Sequence, residues 1–125
     1  MVDDIRGKAS ASQPNIYSAE ISVSSPEGKI TKISTSGIAK YHGYDIDAAA
    51  RFSTTPDGKY LAAVFAEGTV AVWDVANKKL LHQFGSRLIE PMSIQISADG
   101  RRVSVGGKMK ELGEELSLAV WELPK

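Results

Sequence analysis

The sequence predicts an all-β fold of four-stranded antiparallel units, because one unit is written twice and its turns leave too little chain between them for helices. The first copy runs from Phe52-Ser53-Thr54-Thr55-Pro56-Asp57-Gly58-Lys59-Tyr60-Leu61 to Trp73-Asp74, the second from Ile96-Ser97-Ala98-Asp99-Gly100-Arg101-Arg102-Val103 to Trp121-Glu122. Asp57 and Asp99 lie 42 residues apart, within the roughly 40 to 50 residues of one β-propeller blade. An Asp-Gly turn, an apolar strand, a tight turn and a Val-x-Val-Trp strand are the successive parts of such a blade. The prediction is an incomplete β-propeller of about 2 to 2.5 blades.

Residues 1–14 contain Ala9-Ser10-Ala11-Ser12-Gln13-Pro14 and have little to bury, so a loose N-terminal arm is expected there. The partial propeller occupies 15–125, starting with a partial blade over 16–33. Within it, Ile16 to Val23 is rich in β-branched and apolar residues, Ser25-Pro26-Glu27-Gly28 makes a turn, and Lys29 to Ile33 alternates as an exposed outer strand would. Ser34 to Asp47 holds Gly37 and Gly43 and reads as a looser stretch.

The full blade spans 48–84, with strands expected over 48–53, 59–65, 69–75 and 80–84. Its inner strands are apolar at nearly every position and its last is mixed, the gradient expected when inner strands lie between neighbouring sheets. A three-stranded blade follows over 91–123, with strands at 92–97, 102–106 and 116–123. Between its last two strands the turn swells to 107–115, where Met109, Leu112 and Leu116 fall roughly on one side of a short helix that Gly113 would interrupt.

Composition narrows the function classes. Fifteen basic residues balance fifteen acidic ones, 42% of the chain is hydrophobic and 24% charged. Such a balance gives no field that would draw nucleic acid or an anionic membrane, and neither is expected as a partner. With no cysteine, disulfides and thiol chemistry are excluded. The charged start Met1 to Lys8 lacks the apolar stretch of a signal peptide. The expected location is the cytoplasm, or the nucleus of a compartmented cell.

Phe52-Ser53, Asp57-Gly58 and Trp73-Asp74, echoed by Asp99-Gly100 and Trp121-Glu122, resemble the repeats of WD-repeat propellers over about residues 42–123. In that family a His, a Ser or Thr, an Asp and the Trp form a buried hydrogen-bonded tetrad; here His42 sits in His-Gly order, the hydroxyl slot is Ala63 and the turn carries Glu67. The resemblance therefore implies blades held by apolar packing instead of the tetrad. Gly85 to Gly100 is also similar to the repeats of bacterial surface-layer-type propellers, which predicts the same architecture.

A closed propeller needs about four to eight blades, more than 125 residues supply. The expectation is closure with other chains, either copies of this one, with the strand near Lys29 to Ile33 completing the last blade of another copy, or a different polypeptide. The competing structural expectation is an autonomous sandwich or open array.

No catalytic arrangement is predicted, so the chain is read as a non-enzyme without cofactor or metal. His42 and His82 lack a nucleophile or metal-ligand pattern, Asp45 and Asp47 lack a calcium-loop pattern, and the Asp-Gly turns precede no helix that could cradle phosphate. The expected partner-binding rim gathers Tyr41, His42, Tyr44, Arg87, Glu90, Lys108, Met109 and Lys110, since aromatic and basic loop residues are what protein interfaces enrich. The functional expectation is a protein–protein interaction scaffold. Its alternatives are an oligomeric propeller binding a small molecule or glycan between blades, and a structural subunit of an enzyme complex.

Overall fold

A computed structural model describes residues 8–15, 18–41, 43–86, 88–109 and 116–124. The described residues form twelve strands: β1 (Ser10–Ser12), β2 (Glu20–Ser24), β3 (Ile30–Ser34), β4 (Ala39–Tyr41), β5 (Tyr44–Ile46), β6 (Arg51–Thr54), β7 (Tyr60–Val64), β8 (Thr69–Asp74), β9 (Lys79–Gly85), β10 (Leu88–Ile96), β11 (Arg102–Met109) and β12 (Leu116–Glu122). All pairings are antiparallel, and no helix occurs among the described residues. The sheets run β1-β2-β3, β4-β5, β6-β7-β8-β9 and β10-β11-β12, each in sequence order. This is the all-β arrangement of partial propeller blades that the repeat predicts.

The four-stranded sheet lies at the centre because both of its faces are apolar. Leu61, Ala62, Ala63, Val64 and Phe65 are all 0% exposed, which one-sided burial of a strand cannot produce, since successive side chains point to opposite faces. Leu61, Ala63 and Phe65, with Ala71 and Trp73 from β8, pack on Ile21, Val23, Ile33 and Ala39. Ala62, Val64, Val70 and Val72 on the other face pack on Ile94, Ile96, Val103 and Val105. Two cores thus share one sheet as their common wall.

Cross-strand register fixes which side chains share a face. Ala63 stands opposite Phe52 and Ala71, and Ala62 opposite Ser53 and Val72. In the last sheet Ile94, Val105 and Ala119 align, as do Ile96, Val103 and Trp121. Phe84 of β9 meets Trp121 with ring centroids 5.0 Å apart and tilted by 56°, a favourable aromatic geometry. Between Val72 and Trp73 the β8–β9 register slips by one residue, so Leu80 is opposite Trp73 while His82 is opposite Val72. This bulge leaves Leu80 and Leu81 both partly exposed.

Three parts depart from the sequence expectation. Ser10–Ser12, within the expected loose arm, forms β1 on the edge of β2. The segment is tied to the central sheet as well: Ala9 N–H donates to the Pro56 carbonyl at 2.8 Å, and the Gln13 amide donates to Ala49 O while accepting from Ala49 N–H, both at 3.2 Å. Gln13→Ala is expected to lower stability by about 1–2 kcal/mol, two half-buried hydrogen bonds' worth, read as a shift in the urea midpoint with unchanged slope.

The stretch expected to be loose, Ser34 to Asp47, holds the β4–β5 hairpin, with Ala39 opposite Ile46 and Tyr41 opposite Tyr44. Between them the strand at Lys29 to Ile33 is β3, an outer strand of its sheet as expected, exposed along most of its length with Ile33 alone of its residues buried against the centre. In the swollen turn, Gly107 to Met109 extend β11, while 110–115 lie outside the described residues.

Candidate interaction surface

Three turns of one design set the ends of the blades. In the central sheet Thr55 N–H donates to Tyr60 O at 3.0 Å and Gly58 N–H to Thr55 O at 2.9 Å; in the last sheet Ser97 N–H donates to Arg102 O at 2.9 Å and Gly100 N–H to Ser97 O at 2.8 Å. The side chains repeat too. The Thr55 hydroxyl donates to Asp57 at 2.7 Å and accepts from Tyr60 N–H, as the Ser97 hydroxyl donates to Asp99 at 2.6 Å and accepts from Arg102 N–H. Asp57 also accepts from Lys59 N–H and Asp99 from Arg101 N–H.

Both aspartates are therefore occupied as turn formers. The hydrogen bond from Lys59 N–H, reinforced by the Thr55 hydroxyl, holds Asp57 below the ordinary carboxylate value, and the Ser97 hydroxyl with Arg101 N–H does the same for Asp99. A carboxylate with a depressed folded-state pKa stabilises the fold above its unfolded pKa and loses that contribution as pH falls through the folded value. Asp57→Asn is accordingly expected to lower stability at neutral pH and to flatten its decline on acidification below about pH 4. Thermal melts between neutral and acid pH check this.

A third copy of the turn stands in the first sheet, and sequence reasoning missed it as a copy. Ser25 N–H donates to Lys29 O at 2.8 Å and Gly28 N–H to Ser25 O at 2.9 Å, with Gly28, Gly58 and Gly100 all at positive φ. This turn closes over one residue fewer than the others. With that deletion counted, Lys29 takes the place of Tyr60 and Arg102, and Ile33, paired with Ile21, takes the place of Val64, paired with Arg51.

Two neighbouring blades consequently meet by the same rule. The face of one blade carrying Ile21, Val23 and Ile33 packs on the Leu61 and Ala63 face of the next, and the Val64 face of that one packs on the Val103 and Val105 face of the third. The same rule leaves two faces open. On the first blade these residues are Ser22, Ser24, Ile30, Lys32 and Ser34, with Glu20 opposite Ser34. On the third they are Ser93, Gln95, Ser104, Gly106, Leu118 and Val120. Leu118 is 71% and Val120 58% exposed, whereas Val70 and Val72, which the turn register places at the equivalent positions, are 0% exposed.

The expected rim is only partly assembled. Glu90 and Lys108 come together as register partners and as an ion pair at 3.5 Å, while Tyr44 projects, 78% exposed, from the separate β4–β5 sheet. Tyr41 belongs to β4 opposite Tyr44, and Met109 to β11 opposite Leu88. His42, Arg87 and Lys110 lie outside the described residues. Of the expected tetrad positions, Ala63 is buried in the core and Glu67 accepts Thr69 N–H across the tight turn at 2.8 Å. No group of three or more His, Asp or Glu able to hold a metal occurs among the described residues. Tyr60, Leu81, His82, Asp99, Arg101 and Leu123 line an open cleft of about 460 Å³ between the second and third blades.

No family model matches the chain. It is similar to an uncharacterized WD repeat-containing protein of Synechocystis sp., with 28% identity over 97 residues, covering 78% of this chain and 25% of that protein. It is also similar to Protein groucho of Drosophila melanogaster, with 35% identity over 60 residues, covering 48% of this chain and 8% of that protein. The chain thus spans a quarter or less of the length of these relatives.

Proposed function

We propose that these blades belong to a WD-repeat β-propeller and act as a non-catalytic protein–protein interaction scaffold, completed by blades from other chains. The observation that carries the reading is the open face of the third blade: Leu118 and Val120 stand exposed where their counterparts Val70 and Val72 are fully covered. A stack whose every interior contact is sheet on sheet leaves such a face to another sheet. The similarity to a WD repeat-containing protein supports the same reading, and the absence of cysteine fits the reducing cytoplasm in which we place it.

The test is isolation of the tagged chain from its own cells under native conditions, followed by light scattering of the complex recovered. A stoichiometric protein partner, retained through size exclusion and lost on Leu118→Lys, is the expected result. A chain that recovers no protein and remains a bare monomer would overturn the scaffold assignment.

A further inference from the structure

The two open ends of the stack are chemically unlike. Every covered face of the Val64 type is covered by alternate aliphatic side chains of the next blade: Ile33 by Leu61 and Ala63, and Val64, Val70 and Val72 by Ile94, Ile96, Val103 and Val105. The third blade offers the same type of face again, with Leu118 and Val120 in the places of Val70 and Val72, and Ser104 and Gly106 in the places of Ala62 and Val64. Gly106 keeps this face flat, since a Cβ there would meet Ser93 Oγ at 2.8 Å. What covers such a face is therefore shown twice within the molecule.

The first blade's open face cannot supply that cover. Ser22, Ser24, Lys32, Ser34 and Glu20 occupy it, with Ile30 its one aliphatic side chain among the β2 and β3 residues. Laying it on Leu118 and Val120 would bury Lys32 and Glu20 against hydrocarbon, and the cost of desolvating two charges can exceed what their mutual attraction returns. A head-to-tail ring of identical chains requires that contact. The polar face instead ends the stack, as a polar terminal repeat ends a solenoid.

We infer that the stack docks at one end only: the Leu118 and Val120 face takes a further antiparallel blade of different sequence, one presenting alternate aliphatic residues as Ile94, Ile96, Val103 and Val105 do. It does not take the first blade of a second copy. This inference rests on the scaffold reading for its partner, but the face it names is tested separately.

Because the chain has no cysteine, Val120→Cys and Ser22→Cys each place a single reporter thiol on one end face. A second copy of residues 88–124 appended after Lys125 serves as the probe, since it carries the required aliphatic face. In the appended chain, maleimide labelling at the Val120→Cys thiol is expected to slow at least about tenfold, with labelling at Ser22→Cys unchanged. Leu118→Lys in the original third blade should restore the rate. Equal rates at Val120→Cys with and without the appended blade would overturn the inference, and so would protection at Ser22→Cys instead. In the chain without the probe, both rates should be independent of protein concentration. Joint protection of the two thiols on concentration would mean head-to-tail self-association and would equally overturn it. If no partner is recovered from cells while the labelling pattern holds, the scaffold reading fails and the docking face stands.

Discussion

Phe65→Ala is expected to lower the stability of the fold by about 3–5 kcal/mol, the cost of deleting a fully buried phenylalanine from a core that relaxes only partly. Phe65 is 0% exposed and follows the end of β7, where its N–H donates to Thr69 O and its carbonyl accepts Gly68 N–H, each at 2.8 Å. The backbone bonds survive the substitution, so the loss falls on packing against the Ile21, Val23, Ile33 and Trp73 cluster. The melting temperature should drop by more than about 10 °C, measured by circular dichroism at neutral pH. A change under about 1 kcal/mol would mean that the first and second sheets do not share a core.

Gly100→Ala should be the next most costly change, at about 2–4 kcal/mol, because two effects coincide. Its φ of +74° strains any residue with a Cβ, and that Cβ would run into the ring of Tyr60, which lies directly over the glycine. Gly37→Ala is the control: φ is +77° but nothing lies within 4 Å, so only the backbone part, about 1–2 kcal/mol, is lost. Tyr60→Ala should relieve much of the excess in a double-mutant cycle. Equal losses at Gly37 and Gly100 would remove Tyr60 from the second-to-third blade contact.

The parts legible in the sequence are those where turn chemistry and burial agree. Thr55-Pro56-Asp57-Gly58 and Ser97-Ala98-Asp99-Gly100 announce their turns because Asp must accept backbone N–H and Gly must take positive φ. The strands β7 and β8 announce themselves because both faces are covered, so Leu61 to Phe65 contain no polar residue. The first blade was less legible for two physical reasons. Its turn is one residue shorter, which throws the copy out of register, and β4 and β5 are three residues each, too short for any period to show around Lys40 and Asp45.

The open face of the third blade was invisible for the opposite reason. Leu116-Ser117-Leu118-Ala119-Val120-Trp121 reads like the two-sided strand β8, and an apolar side chain carries no mark of whether a neighbour covers it. Only the placement of Ala119 and Trp121 toward the central sheet identifies Leu118 and Val120 as the uncovered pair. The rim residues were predicted as one group, yet only Glu90 and Lys108 are joined. Their pairing depends on β11 running on through Gly107, where a Cβ would strike the backbone at Glu90 and Pro91.

The two tryptophans have fallen one to each interface. Trp73 sits 3% exposed in the core between the first and second blades, and Trp121 lies beside Phe84 at the junction of the second and third. In spectroscopic terms the molecule carries its own pair of independent gauges: Trp121→Phe leaves an emitter for one junction, and Trp73→Phe an emitter for the other. Denaturation followed by each in turn would tell whether the blades part together or one after another.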